Sequence, residues 1–227
     1  MGRLIEMSEA RALVADGVLW PRVRDFLWNF APQVHKSWLE GINGGAVPAE
    51  GLMSSSRVKA WVLSQLGAEP FFHDFPASDW SRLALLDGAV IKSIVLWLGA
   101  LACAPSLRKV TDGATVRSLK AALPGVYPDM LAFTAYFTKI GEARAAEDGE
   151  PSKSAVDCVV AAGCELLLAL LGDAPAQVKE RVALKLPKTF PFKSAASKVP
   201  PPGRDVLDAA LARLLKLKFP EAHSLCC

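Results

Sequence analysis

The sequence predicts an all-α protein on three observations. Apolar residues recur at the 3.6-residue period of a helix, and no segment alternates at the period of two that marks a half-buried strand. Prolines and glycines stand at the ends of the apolar patterns, where helices begin and end. Hydrophobic residues make up 52% of the 227 residues, which fits a packed core and excludes a disordered chain. We therefore expect a compact, bundle-like single domain over residues 1–227.

The N-terminal half predicts helices separated by two loops. Pro21 stands in the first turn of the first helix, and Pro32 ends it. A glycine- and serine-rich loop over 41–56 follows the second helix, and the connector 67–78 precedes the fourth. The first three helices are predicted over Val23–Phe30, over Val34 and Trp38 up to about Glu40, and over Val58–Leu66. The fourth is predicted over Trp80–Ala84, after a cap at Ser78 or Asp79. This fourth helix leads into an apolar helix that ends near Ala104-Pro105.

The C-terminal half repeats this pattern around a charged stretch. Residues 141–153 predict an exposed linker, and a helical subregion over 1–78 is the other possible division of the chain. Residues 187–203 hold five prolines and predict extended chain. One helix is predicted from a cap at Asp112 through Leu119 and Leu123, and the next, after Pro128, along Leu131, Phe133 and Phe137. A third runs from a Ser154/Asp157 capping box to Gly172. The last two are predicted from Pro175 to Leu186 and over Arg204–Phe219.

Charge and hydropathy limit which classes of partner the protein can bind and where in the cell it can act. The formal net charge is +3, from 26 basic and 23 acidic residues, which gives no global footprint for nucleic acid. The N-terminus lacks the pattern of a signal peptide. The longest apolar run without charge, Ser93–Leu107, has 15 residues and is short for a membrane span. We expect a cytoplasmic protein.

The residue types that carry catalysis do not converge in the sequence. Phosphate-binding loops and zinc-ligand spacings are absent, and His73-Asp74 is the nearest approach to a catalytic pair. The five cysteines are irregularly spaced, so we expect free thiols and no metal or cofactor. The terminal pair Cys226-Cys227 resembles a prenylated tail, yet such a pair is more often incidental. The sequence predicts no enzyme.

A basic segment over 179–204 is the candidate partner-binding site. Seven cations stand there against one acid, Glu180, with two phenylalanines between them. The segment could dock on an acidic protein surface, an anionic lipid or a nucleic acid, and an acidic protein is favoured over a nucleic acid. It could equally be a solvated helix face followed by a polar loop. The candidate residues are Lys179, Arg181, Lys185, Lys188, Phe190 and Phe192. A second candidate anchor, Phe71, Phe72 and Phe75, is expected to fold back on the core.

The order of motifs over residues 80–220 resembles the SctK family (YscK, PscK). The similar segments are Leu96–Gly99 with Ala104–Arg108, Ala162-Gly163 with Leu168–Leu171 and Pro175, Glu180–Pro187, and Leu214–Pro220. One departure is Val178, which stands where the family pattern has Trp.

The resemblance implies a role at the base of the bacterial injectisome. It implies a cytoplasmic, all-helical adaptor of the type III secretion sorting platform, monomeric in isolation, without catalytic activity. Such an adaptor bridges the inner-membrane ring protein SctD to the pod protein SctQ and meets the SctL–SctN ATPase indirectly, with no nucleic acid and only indirect membrane contact.

Two other functions remain open from the sequence alone. The first is a helical small-ligand-binding protein or enzyme with its site between helices. The second is a membrane-peripheral protein held by Cys226-Cys227 and the basic segment.

Overall fold

The computed structural model describes residues 17, 19–42, 52–70, 75, 79–133, 154–172, 174–192 and 203–226. Every regular element in these ranges is a helix and none is a strand, so the all-α prediction is confirmed. The linker predicted over 141–153 lies outside the described residues, as do Phe71, Phe72, the His73-Asp74 pair, Phe137, Lys193, Lys198 and Cys227.

The predicted helices follow the expected order, and a further helix, Pro220–Cys226, follows the one predicted to be the last. α1 spans Leu19–Trp28, α2 Lys36–Leu39, α3 Ser56–Gln65, α4 Gly88–Ala102, α5 Ala104–Leu107 and α6 Gly113–Ala122. α7 spans Tyr127–Phe133, α8 Ala155–Leu170, α9 Ala176–Lys185, α10 Arg204–Lys218 and α11 Pro220–Cys226. Short 3-10 helices span Ala31–Gln33, Leu52–Ser54 and Asp79–Leu85.

The predicted N-terminal caps are present where side chains can accept a hydrogen bond. Asp112 accepts from the backbone N–H of Thr115 at the start of α6. Ser154 accepts from the N–H of Asp157 at the start of α8, as the capping box predicts. Each cap satisfies an amide that has no partner within its helix.

The helix boundaries near prolines and at breaks between helices differ from the predicted ones at three places. α7 begins at Tyr127, with Pro128 inside its first turn, where the missing proline N–H would have no partner anyway. The fourth predicted helix is a 3-10 helix, Asp79–Leu85, and is separated from α4. α4 ends at Ala102, and the chain resumes as α5 with Pro105 in its first turn.

The chain divides into two compact units, each built from separate stretches. Unit 1 contains residues 1–91, 173–188 and 221–227, and unit 2 contains 92–172 and 189–220. Neither the predicted subregion 1–78 nor the linker 141–153 marks this division. The expectation of one domain over 1–227 stays a prediction.

In unit 2, α4 and α8 cross with their backbones in contact. A methyl group added to Gly99 would lie closer than 3.0 Å to the carbonyl oxygen of Val159, and one added to Gly163 would meet that of Val95 equally closely. Only glycine permits this approach, because any Cβ would collide with a main-chain carbonyl. The α4–α8 crossing therefore depends on two glycines.

In the described ranges, none of the helices meets the length and hydropathy that a membrane-spanning helix requires.

Candidate functional site

The candidate site centres on α9, which carries the two most buried cations of the described chain. Arg181 is 1% exposed and Lys185 is 2% exposed. Both lie on the same helix face as Val178 and Val182, because positions i, i+3, i+4 and i+7 coincide on a helix. The sequence alone predicts that both cations lie on a partner-binding surface or on a solvated helix face.

Arg181 binds main-chain carbonyls from two other parts of unit 1. Its Nη1 donates to the carbonyl oxygens of Phe26 and Leu27, in the last turn of α1. Its Nη2 donates to those of Glu69 and Pro70, at 3.0 and 3.1 Å. The last carbonyls of a helix lack partners within it and carry its negative dipole end, so a guanidinium is well suited to cap them.

Lys185 does the same at the end of the 3-10 helix. Its Nζ donates to the carbonyl oxygens of Ala84 and Leu86, at 2.7 and 2.8 Å. These carbonyls lie where the predicted helix breaks before α4. Gly88, at the first position of α4, packs against the main chain of Lys185, with its added-Cβ position 2.7 Å from the carbonyl oxygen.

Two phenylalanines lie beside both cations. The rings of Phe26 and Phe30 meet edge to face, with centroids 5.5 Å apart. The Arg181 guanidinium lies 5.5 and 5.0 Å from these centroids, and the Lys185 Nζ lies 5.3 and 5.8 Å from them. A desolvated cation over an aromatic ring gains electrostatic stabilisation, so the rings offset part of the cost of burying the charges.

Burial lowers the pKa of both side chains. Desolvation lowers the pKa of Lys185 to about 7, Asp87 opposes this shift, and Arg181 and Arg22 add to it. Desolvation lowers the pKa of Arg181 to about 10, and Glu69 opposes it. Arg181 therefore stays charged at neutral pH, whereas Lys185 is close to titrating.

The end of α9 also holds the segment around α2. The carbonyl of Leu184 accepts from the N–H of His35 at 2.8 Å, and that of Leu186 accepts from Trp38 Nε1 at 2.9 Å. The N–H of Lys188 donates to Ser37 Oγ at 2.9 Å. The end of α9 thus joins α2 to the part of unit 1 that the cations organise.

The structure corrects the placement of three predicted partner-binding residues. Arg181 and Lys185 are enclosed and bonded to carbonyls, and Phe192 is 3% exposed, within unit 2. None of the three side chains is on a surface. Arg181 and Lys185 lie on the face that α9 buries, and Phe192 lies beyond α9 and is buried separately. A charge reversal at Arg181 and Lys185 would test folding rather than docking.

The other three predicted residues remain accessible in part. Lys188 is exposed, with its Nζ 5.8 Å from the Trp38 ring centroid. Lys179 and Phe190 are half-buried. Their role in partner binding stays a prediction. Arg204, at the far end of the basic segment, is 3.1 Å from Asp208 Oδ1 and donates to the carbonyl of Ala169.

Cys164 and Cys226 are buried, and Phe75 packs against Phe26. Among the described residues no group of three or more His, Cys, Asp or Glu could hold a metal ion. Cys226 is fully buried, and Cys164 is buried in α8, where desolvation raises its pKa to about 12. Phe75 meets Phe26 edge to face at 5.6 Å, in line with the expected fold-back.

A family model identifies the chain. The model described as YscK, YOP proteins translocation protein K, matches residues 25–227. The chain belongs to the YscK family. The suspected SctK-family resemblance is thereby confirmed, and the chain is a type III secretion protein. No curated protein and no solved structure matches it.

The YscK match covers the residues that organise both units. It includes Arg181 and Lys185 with all six carbonyls they bind, and the two glycines of the α4–α8 crossing. The segment Glu180–Pro187, which carried part of the resemblance, is in this chain the internal brace of unit 1.

Proposed function

We propose that this YscK-family protein is a non-enzymatic adaptor of the type III secretion sorting platform. It bridges the inner-membrane ring protein SctD to the pod protein SctQ, and it meets the SctL–SctN ATPase through SctQ. It acts at the cytoplasmic face of the inner membrane. The family match over residues 25–227 carries the proposal.

The chemistry of α9 supports an adaptor. A bridge must hold a fixed shape to keep two partners at a fixed separation. Arg181 and Lys185 tie the ends of α1 and of the 3-10 helix to α9 through six hydrogen bonds. The most perturbed cations of the described chain are thus engaged with its own backbone, which suits a rigid scaffold.

Reconstitution tests the bridge directly. The full chain is mixed with the cytoplasmic domain of SctD and with SctQ, and the complexes are measured by size-exclusion chromatography with light scattering. We expect a ternary complex that does not form when the chain is omitted. Mutually exclusive binding of SctD and SctQ, or binding of neither, would contradict the proposal.

A secretion assay tests the absence of catalysis. The double variant His73→Ala/Asp74→Ala removes the nearest approach to a catalytic pair in the sequence. In a strain lacking the native gene, we expect it to restore effector export to the level of the wild type. A folded variant that restores assembly but not export would favour an enzyme or ligand-binding protein.

A further inference from the structure

Exposed tryptophans mark one part of unit 1. Among the described residues, the exposed large hydrophobic side chains are Trp28 at 40%, Trp61 at 41% and Leu217 at 49%. Both tryptophans belong to unit 1, on α1 and α3, whereas Leu217 belongs to unit 2. Exposed Trp is costly for a protein without a partner and is the residue most enriched at binding hot spots.

On α1 the aromatic residues form a stripe with an arginine between them. Trp20, Arg24 and Trp28 are four residues apart and share a face that borders the buried face of α1, which contains Val23 and Phe26. The rings of Trp20 and Trp28 meet edge to face, with centroids 5.8 Å apart. The pair is therefore a preformed anchor with little side-chain freedom to lose on binding.

A hydrogen bond links the end of α1 to α3. Lys59 Nζ donates to Asn29 Oδ1 at 2.5 Å. Trp28 precedes Asn29, and Trp61 follows Lys59 by two residues, so the reach of these side chains limits the two tryptophan Cα atoms to roughly 20 Å apart. One partner footprint of about 800 Å² is wide enough to include both.

The charges of α1 and α3 favour an acidic partner. The two helices carry Arg22, Arg24, Arg57 and Lys59 against a single acid, Asp25. Three of the four cations are exposed, and Asp25 is 3.3 Å from Arg24. Exposed arginines beside exposed tryptophans are the composition of a protein-binding surface.

We propose that these helices form an aromatic–arginine surface, defined by Trp20, Arg24, Trp28, Arg57 and Trp61, which docks an acidic surface of a protein partner. The assignment rests on the proposed adaptor function and specifies where one partner binds. An acidic protein surface complements the exposed Arg22, Arg24 and Arg57, and tryptophans beside arginines are enriched at protein–protein interfaces. Binding to an anionic bilayer is the competing outcome of the test below.

Single substitutions in the full chain test the surface. Trp28→Ser and Trp61→Ser are each expected to raise the Kd for the same one of the two partners, SctD cytoplasmic domain or SctQ, by tenfold or more. The matched control Leu217→Ser removes an exposed apolar side chain from unit 2 and should leave that Kd within twofold. Arg57→Glu should raise the Kd for the same partner and reduce the salt dependence of that binding.

The outcomes separate this inference from the adaptor function. If the wild-type chain binds both partners and the Trp variants bind them equally well, the proposed docking surface is wrong and the adaptor function stands. Loss in only one Trp variant, or losses for different partners, also overturns it. A wild-type chain that binds neither partner overturns both proposals. If the Trp variants lose only binding to phosphatidylglycerol vesicles, the surface meets a membrane and the inference is wrong. If the Trp variants fail to fold, Arg57→Glu and Arg24→Glu decide by the same criterion.

Discussion

The role of Arg181 leads to a quantitative prediction about folding. Arg181→Met keeps the length and apolar stem of the side chain but removes its donors. The carbonyls of Phe26 and Leu27 then lose a charged donor in a buried place, at about 1.5–3 kcal/mol for each hydrogen bond. The carbonyls of Glu69 and Pro70 are part-buried and add less. Removing a desolvated charge returns part of the loss, so we expect a net destabilisation of about 3 kcal/mol.

Urea denaturation followed by circular dichroism measures this loss. A domain is stable by about 5–15 kcal/mol, so the variant should remain folded at 25 °C and should still bind its partners. Lys188→Met, at an exposed cation, is the matched control and should change stability by less than about 0.5 kcal/mol. A stability loss under about 1 kcal/mol together with lost partner binding would refute the internal role of Arg181 and restore it as a docking residue.

Three further predictions follow from burial and close packing. Between pH 7 and 10.5 the folded chain binds fewer protons at Lys185 than the unfolded chain. The free energy of unfolding should therefore rise with pH, by at most about 1.4 kcal/mol per pH unit. In urea titrations at several pH values, Lys185→Met should lose this part of the rise. Gly99→Ala should destabilise by about 2 kcal/mol or more in thermal unfolding, whereas Gly113→Ala, whose added Cβ meets only a flexible arginine tip at 3.5 Å, should cost less than about 1 kcal/mol; equal effects would contradict the backbone contact. With a pKa of about 12 and full burial, Cys164 should react with a thiol reagent at pH 8 only on unfolding, and rapid reaction in the folded protein would show that α8 opens.

Local signals in the sequence predicted most helices because they depend only on nearby residues. The capping box at Ser154 and the cap at Asp112 act within one turn, and both are present as predicted. The apolar period of α10 likewise gives a helix over Arg204–Lys218. Such features need no knowledge of the rest of the chain.

The placement of the α9 cations could not be predicted from charge, although one local signal pointed to it. The carbonyls that bind Arg181 lie 111 to 155 residues away in sequence, and those that bind Lys185 lie 99 and 101 residues away. The usable signal was the spacing of Val178, Arg181, Val182 and Lys185, which puts both cations on the apolar face of α9. Charge alone suggested a surface, because lysine and arginine are rarely buried without partners.

The interleaved course of unit 1 bears on how the protein is made. Its first 91 residues include α1 and the 3-10 helix whose carbonyls α9 binds, but α9 belongs to 173–188 and the last part of the unit to 221–227. At roughly 5–20 residues per second, the ribosome needs several seconds to reach Arg181 after finishing the N-terminal stretch. During that interval the carbonyls of α1 have no guanidinium to cap them. We therefore expect unit 1 to complete its fold only after synthesis of nearly the whole chain, with the nascent N-terminal helices exposed to chaperones until then.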